Sequence, residues 1–82
     1  MFHVYVLRSE PTGRYYIGCT GGLENRVTQH NAGVTRSTKN FRPWQLIYQE
    51  EFETLSSARR RESELKSWKS RTYLESRLKL TI

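Results

Sequence analysis

The sequence predicts a mixed α+β domain of the α/β class, a three-stranded sheet flanked by helices. Three observations predict it. Apolar and polar residues alternate over residues 2–8 and the pattern resumes after a turn. A second alternation runs over residues 44–52. Helical patterns fill the stretch between them and the end of the chain. The 82 residues suit one domain with a thin core, read as residues 1–82.

The elements follow in order. Phe2, Val4 and Val6 lie on one face of the first strand, with His3, Tyr5 and Leu7 on the other. Ser9-Glu10-Pro11-Thr12-Gly13 is turn chemistry, and residues 14–19 form the second strand of a hairpin. If the loop is the four residues 9–12, Arg8 faces Gly13 and Tyr5 pairs with Tyr16. Gly21-Gly22 breaks the chain before a helix over 23–32, with Leu23 and Val27 as its thin apolar stripe and Gly33 as its left-handed stop. Residues 34–43 are a basic, hydroxyl-rich loop. Residues 44–52 form the third strand, with Trp44, Leu46 and Tyr48 on one face. Thr54 or Ser56 caps a helix over 55–70, and a shorter helix over 72–79 carries Tyr73, Leu74 and Leu78. The order is β-β-α-β-α-α, and the helices are the cover that the sheet's apolar faces require.

Composition narrows the function class. The net charge is +6 and the sequence pI about 9.9, on a polar chain of mean hydropathy −0.79. Such an excess suits a polyanion, because neutralised phosphates release counterions. The same charge also suits an ordinary basic surface. No apolar run approaches the ~20 residues that span a bilayer. The start of the chain runs straight into a strand pattern, and Cys19 is a lone cysteine, so a cytoplasmic protein is expected. One Cys with His3 and His30 gives no zinc spacing.

Several residues stand out. At 100° per residue, Glu62 shares a face with Leu55, Ala58 and Leu65, while Glu64 points to solvent. A carboxylate on an apolar face needs a partner: a metal ion, or Lys66 one turn on. Arg26 and His30 share a face of the first helix. Arg26 suits phosphate oxygens, and His30 reads as proton carrier, phosphate donor or helix-terminal cation. Tyr5 and Tyr16 share one sheet face, with Tyr15 on the opposite face. Arg36, Lys39, Arg42 and Trp44, among hydroxyls, suit a phosphate backbone or a stacked base, and equally a polar loop packed by Phe41, Pro43 and Trp44. Arg59-Arg60-Arg61 with Lys69 and Arg71 forms a basic flank. Trp68 packs on the last helix, and Cys19 is structural.

In order and spacing, these residues resemble the GIY-YIG nuclease superfamily. Val4-Tyr5 matches the end of the GIY element, and Tyr16-Ile17-Gly18 is a literal YIG element. Thr20, Leu23, Arg26, His30-Asn31, Arg42-Pro43-Trp44, Leu46, Tyr48, Ala58, Glu62 and Lys66 follow. The likeness covers nearly the whole chain. It is to the small stand-alone branch, related to the nuclease domain of the bacterial excision-repair incision subunit. His3 replaces the glycine of GIY, and the family's late Asn has no match.

The resemblance implies a GIY-YIG domain and hydrolysis of nucleic-acid phosphodiesters, DNA above all, in bacterial repair or maintenance. It implies Tyr5, Tyr16, Arg26, His30 and Glu62 as catalytic residues. It also implies a Mg²⁺ or Mn²⁺ ion on Glu62, and Gly18 as part of the motif. Arg36, Lys39, Arg42 and Lys66 are expected to touch nucleic acid, and a protein partner for targeting is compatible with the missing DNA-binding domain. A catalytically silent binding module and an adaptor for an acidic partner are the alternatives.

Overall fold

A computed structural model describes residues 1–80. The elements are β1 (Phe2–Ser9), β2 (Tyr15–Thr20), α1 (Leu23–Ala32), β3 (Trp44–Phe52), α2 (Leu55–Ser67) and α3 (Arg71–Leu78), with a 3-10 turn at Lys39–Phe41 before β3. The order β-β-α-β-α-α matches the predicted one. β1 lies between β2 and β3 and is antiparallel to both, so β2 is an edge strand.

Both faces of β1 are covered, which its alternation dictates. Val4 and Val6 face α2 and α3, packing with Ala58, Leu65, Leu74 and Leu78. Tyr5 and Leu7 face α1 and the 3-10 turn, with Trp44 and, partly buried, Leu23, Val27 and Phe41. Burial of a side chain of this size contributes about 1.5–3 kcal/mol, so a few such residues decide whether so short a chain folds.

The hairpin register differs from the expected one. Tyr5 pairs with Gly18 and Leu7 with Tyr16, two residues out from a Tyr5–Tyr16 pairing. Ser9 sets this register. Its N–H bonds to the carbonyl of Arg14 at 2.8 Å, and its buried hydroxyl donates to the carbonyl of Phe41 at 2.7 Å. A shift of two preserves the face, so both tyrosines still point toward α1.

The third strand corrects a second expectation. The pairing slips between Val6 and Leu7: Val6 opposes Tyr48, yet Leu7 opposes Leu46. Ile47 is the extra residue of a bulge, which reverses the facing of the strand. Trp44 and Leu46 therefore face α1, whereas Tyr48 faces α2 and α3.

The helices keep their expected starts within a residue. Thr54 Oγ1 caps α2 by accepting from the N–H of Ser57. α2 ends at Ser67, three residues earlier than predicted, because Lys69 turns left-handed at φ 50°. α1 ends at Gly33, whose φ of 80° is the left-handed stop that glycine adopts without strain. The Asn31 side chain clamps the start of β3, accepting from the N–H of Trp44 and donating to its carbonyl. Arg61 joins α2 to β3 through Glu50, with Nη2 to Oε2 at 3.0 Å, and continues to Glu64. It therefore does not belong to the free basic flank. Trp68 packs edge-on against Tyr73, as expected. Tyr15 packs on the opposite face from Tyr16 and donates to Glu75.

Candidate active site

The site is centred within the ladder between the central strand and the edge strand. Tyr5 sits opposite Gly18 on β2. Gly18 has no side chain, so the Tyr5 ring lies directly across it. A Cβ there would fall 2.4 Å from Tyr5 Oη and 2.6 Å from Cζ. The glycine of the YIG triplet is thus required by the neighbouring ring.

Tyr5 Oη lies 3.2 Å from His30 Nε2, and His30 Nδ1 lies 2.8 Å from Thr38 Oγ1. Thr38 donates its hydroxyl proton to the carbonyl of Thr35 at 3.3 Å, so its oxygen accepts from His30. Nδ1 therefore carries the imidazole proton, Nε2 is the acceptor, and the Tyr5 hydroxyl donates to it. This chain is wholly interior: Tyr5 is 1% exposed, His30 0% and Thr38 1%.

Burial sets the protonation states. Desolvation and the neighbouring Tyr16 push the Tyr5 phenol up to about 12, against the opposing pull of Arg26. Desolvation first, then the Arg26 charge, hold His30 below its ordinary value. At neutral pH the phenol keeps its proton and the imidazole is uncharged. Of the three readings of His30, a buried neutral imidazole overturns the helix-terminal cation and the phosphate donor. The proton carrier is compatible.

Tyr16 covers this chain, its ring centroid 4.9 Å from that of His30 and 6.4 Å from that of Tyr5. Arg26, half-buried on α1, and Glu62, on α2, approach the edge strand from opposite faces. The field of each reaches both Tyr5 and Cys19. Arg26 thus lies near Tyr5 and His30, and Glu62 near Tyr5 and Cys19. Glu62 is paired with Lys66, with Oε2 2.8 Å from Nζ, and its side chain keeps 21% of its exposure. Of the two partners the sequence offers Glu62, Lys66 is thus in contact with it. The apolar helix face beside it, with Ala58 and Leu65 buried, is as the wheel predicts.

Outside this cluster the predicted residues scatter. Arg36, Lys39 and Arg42 are exposed on the loop. Arg42 is held locally, its Nε donating to the carbonyl of Lys39 at 2.8 Å. Trp44 is buried, with Nε1 donating to the carbonyl of Thr38, so it packs the core and stacks no base. Thr38 belongs to the hydroxyl-rich loop, and nothing in the sequence signals its position beneath His30, because eight residues along a loop follow no repeat. His3 reaches Glu51 at 3.6 Å and lies two residues from Tyr5 on the same face.

The family model described as the GIY-YIG catalytic domain matches residues 1–75. The chain belongs to the GIY-YIG family. Relatives are small proteins of the same size. A UPF0213 protein of Staphylococcus saprophyticus is 39% identical over 67 residues, covering 80% of each chain. A UPF0213 protein of Halobacterium salinarum is 40% identical over 67 residues, covering 80% of this chain and 86% of that one. The solution NMR structure of a UPF0213 protein from Bacillus halodurans superposes with a TM-score of 0.57 at 29% identity, covering 93% of this chain and 81% of that one. GIY-YIG is a nuclease-type family, and its nucleases generally use divalent metals. Among the described residues, no helix is long and apolar enough to cross a membrane.

The donor set available to a metal is the Glu62 carboxylate. Among the described residues, no three of His, Cys, Asp and Glu cluster as potential metal ligands. A single hard oxygen ligand fits Mg²⁺ or Mn²⁺, which retain water and share the phosphate oxygens of a substrate. Lys66 is more than half exposed, so its ion pair with Glu62 is weak and readily exchanged.

Proposed function

We propose that this protein is a metal-dependent endonuclease that hydrolyses phosphodiesters of DNA, in the repair or maintenance role of its family. The observation that carries the reading is the buried Tyr5–His30–Thr38 chain beside Arg26 and Glu62. A buried phenol needs an acceptor whatever its role; here that acceptor is an imidazole able to take up the proton, with an arginine and a carboxylate near the same phenol.

The residues divide the work as follows. Glu62 would hold the ion, which supplies charge stabilisation at the phosphate and an acidified water. Arg26 binds a non-bridging phosphate oxygen and offsets the charge that builds up in the transition state. Tyr5 accepts a proton from the attacking water while passing its own to His30 Nε2. Thr38 holds the His30 tautomer that makes this possible. Tyr16 packs over the pair and would turn aside as substrate enters, admitting the water to Tyr5 Oη. Lys66, released from Glu62, adds a cation for the strand, and Arg36, Lys39 and Arg42 extend the footprint on the α1 side.

A silent nucleic-acid-binding module is the second reading, favoured by the Glu62–Lys66 ion pair. One assay separates the two. Labelled single-stranded, duplex and branched DNA is incubated with Mg²⁺ or Mn²⁺, with EDTA as control. We expect cleavage by wild type, loss of at least a hundredfold in Glu62→Gln, and none with EDTA. Wild type that shifts DNA in a gel but cuts no substrate would replace the nuclease reading with the binding module.

A further inference from the structure

A groove of about 450 Å³ opens between the edge strand and the α2–α3 connection, outside the proton pathway. Its size is within the roughly 300–1,000 Å³ of small-ligand sites. It shares Tyr16 with the candidate active site, and Lys66, which lines it, is the ion-pair partner of Glu62. Ile17, Leu65 and Leu74 supply apolar surface. Tyr15 forms a wall, with the Arg71 guanidinium 4.7 Å from its ring centroid. Lys66, paired with Glu62, Arg71, paired with Glu75 at 3.1 Å, and Lys69 rim the opening.

The chemistry is mixed in a specific way. A phosphate backbone alone would want cations and hydroxyls, with no use for an apolar floor. The flat face of a base wants an apolar and aromatic surface, and it is exposed only when the base is unpaired. The cations then suit the phosphates on either side of that base.

Lys69 adds a second observation. It is the left-handed residue that ends α2, at φ 50°, where glycine is the unstrained choice. It is exposed, and no ion pair or hydrogen bond holds its side chain among the described residues. Lys79 ends α3 in the same conformation, at φ 55°, but lines a different cavity near Leu78 and Leu80. The two lysines form a matched pair: one backbone strain, two surroundings.

We propose that this groove binds one unpaired nucleotide of the strand being cut, its base on the apolar floor and its phosphate on Lys69. The proposal rests on the nucleic-acid reading above and gives it a preference for frayed, flapped or single-stranded substrates.

The test is binding without cleavage. Anisotropy of a dye-labelled oligothymidine of about 12 nucleotides, and of a blunt duplex of equal length, is measured in EDTA across a salt series. Wild type is expected to favour the single strand. Lys69→Gly is expected to weaken single-strand binding several-fold and to flatten its log–log salt slope by about 0.7, one phosphate contact. Its duplex binding should change less than twofold. Lys79→Gly should leave both affinities unchanged. Each variant should melt higher than wild type by about 4 °C as the left-handed strain is relieved, which excludes misfolding as the cause of weaker binding. Unchanged single-strand binding in Lys69→Gly, or equal loss on both substrates, overturns the groove and leaves the nuclease reading standing. Wild type that binds neither substrate overturns both. Displacement of the oligonucleotide by thymidine monophosphate at comparable concentration would reassign the groove to a free nucleotide.

Discussion

Gly18→Ala is a one-carbon change that tests how the site is built. The added Cβ would sit 2.4 Å from Tyr5 Oη and 2.6 Å from Cζ, so the ring must retreat by about 1 Å to reach ordinary contact. It has little room, because Tyr5 is 1% exposed and held on the central strand. Overpacking of this kind costs about 1–3 kcal/mol. Loss of the Tyr5–His30 hydrogen bond adds about 1 kcal/mol. Alanine regains about 0.5–1 kcal/mol over glycine in a strand. The net expectation is a loss of about 1–3 kcal/mol, each kcal/mol lowering Tm by about 4–8 °C in a domain of this size. In a Tyr5→Leu background the ring is gone, and the same substitution should be neutral or stabilising by about 0.5 kcal/mol. Urea unfolding of the four proteins, followed by tryptophan fluorescence, gives the coupling. Equal costs of Gly18→Ala in the two backgrounds, within about 0.5 kcal/mol, would refute the claim that Gly18 exists to admit the Tyr5 ring.

Three further substitutions probe the buried and half-buried contacts. Thr38→Val keeps the shape but removes the acceptor for His30 Nδ1, so it should cost about 1–3 kcal/mol and cut the cleavage rate at least tenfold, while Thr38→Ser retains both; ¹⁵N shifts of the His30 ring read the tautomer independently. Because burial and Arg26 hold His30 below its ordinary pKa, the folded protein resists protonation there. That contribution is complete above about pH 6.5 and declines as pH falls below it, so His30→Gln should flatten this limb of the stability profile. Arg61→Met should cost about 1–2 kcal/mol at pH 7. Burial alone would raise the Glu50 pKa, but its bonds from Arg61 and Tyr48 outweigh this and hold it low. That contribution is present above about pH 4.5 and lost as pH falls through the carboxylate range, so the gap between Arg61→Met and wild type should narrow there.

Legibility tracked whether a feature is local. The alternation of Phe2–Leu7, the Gly33 stop and the Thr54 cap are set by neighbours in sequence, and each lies where the pattern puts it. The helical angle alone puts Glu62 on the inward face, and Ala58 and Leu65 beside it on that face are buried. The two tyrosines shared a face despite the wrong register, because an even slip preserves parity. The errors are tertiary. The Ile47 bulge has no glycine to mark it, and it sends Tyr48 to the other side of the sheet. The Lys69 stop ends α2 without the glycine that usually signals one. His30 reads equally as proton carrier, phosphate donor or helix-end cation until the loop brings Thr38 to it. Arg61 looks free until Glu50 on β3 is brought beside it.

The protonation pattern bears on how Tyr5 can act. A phenol pushed up to about 12 holds almost no phenolate at neutral pH, so a preformed phenolate base is a poor description. Transfer of its proton to His30 alone would leave a buried phenolate, which desolvation penalises. Concerted transfer avoids this: the water proton arrives at Tyr5 Oη as the Tyr5 proton leaves for Nε2. The phenol then ends neutral and only the imidazole changes charge. The cost that remains is charging a buried His30, raised first by desolvation and then by Arg26. A phosphate bound to Arg26 offsets that second cause and lifts the imidazole's affinity for a proton. On the nuclease reading, substrate binding therefore primes the base it needs, and an empty site keeps His30 neutral. Arg26 then acts twice, on the phosphate directly and on the proton path through the field it withdraws.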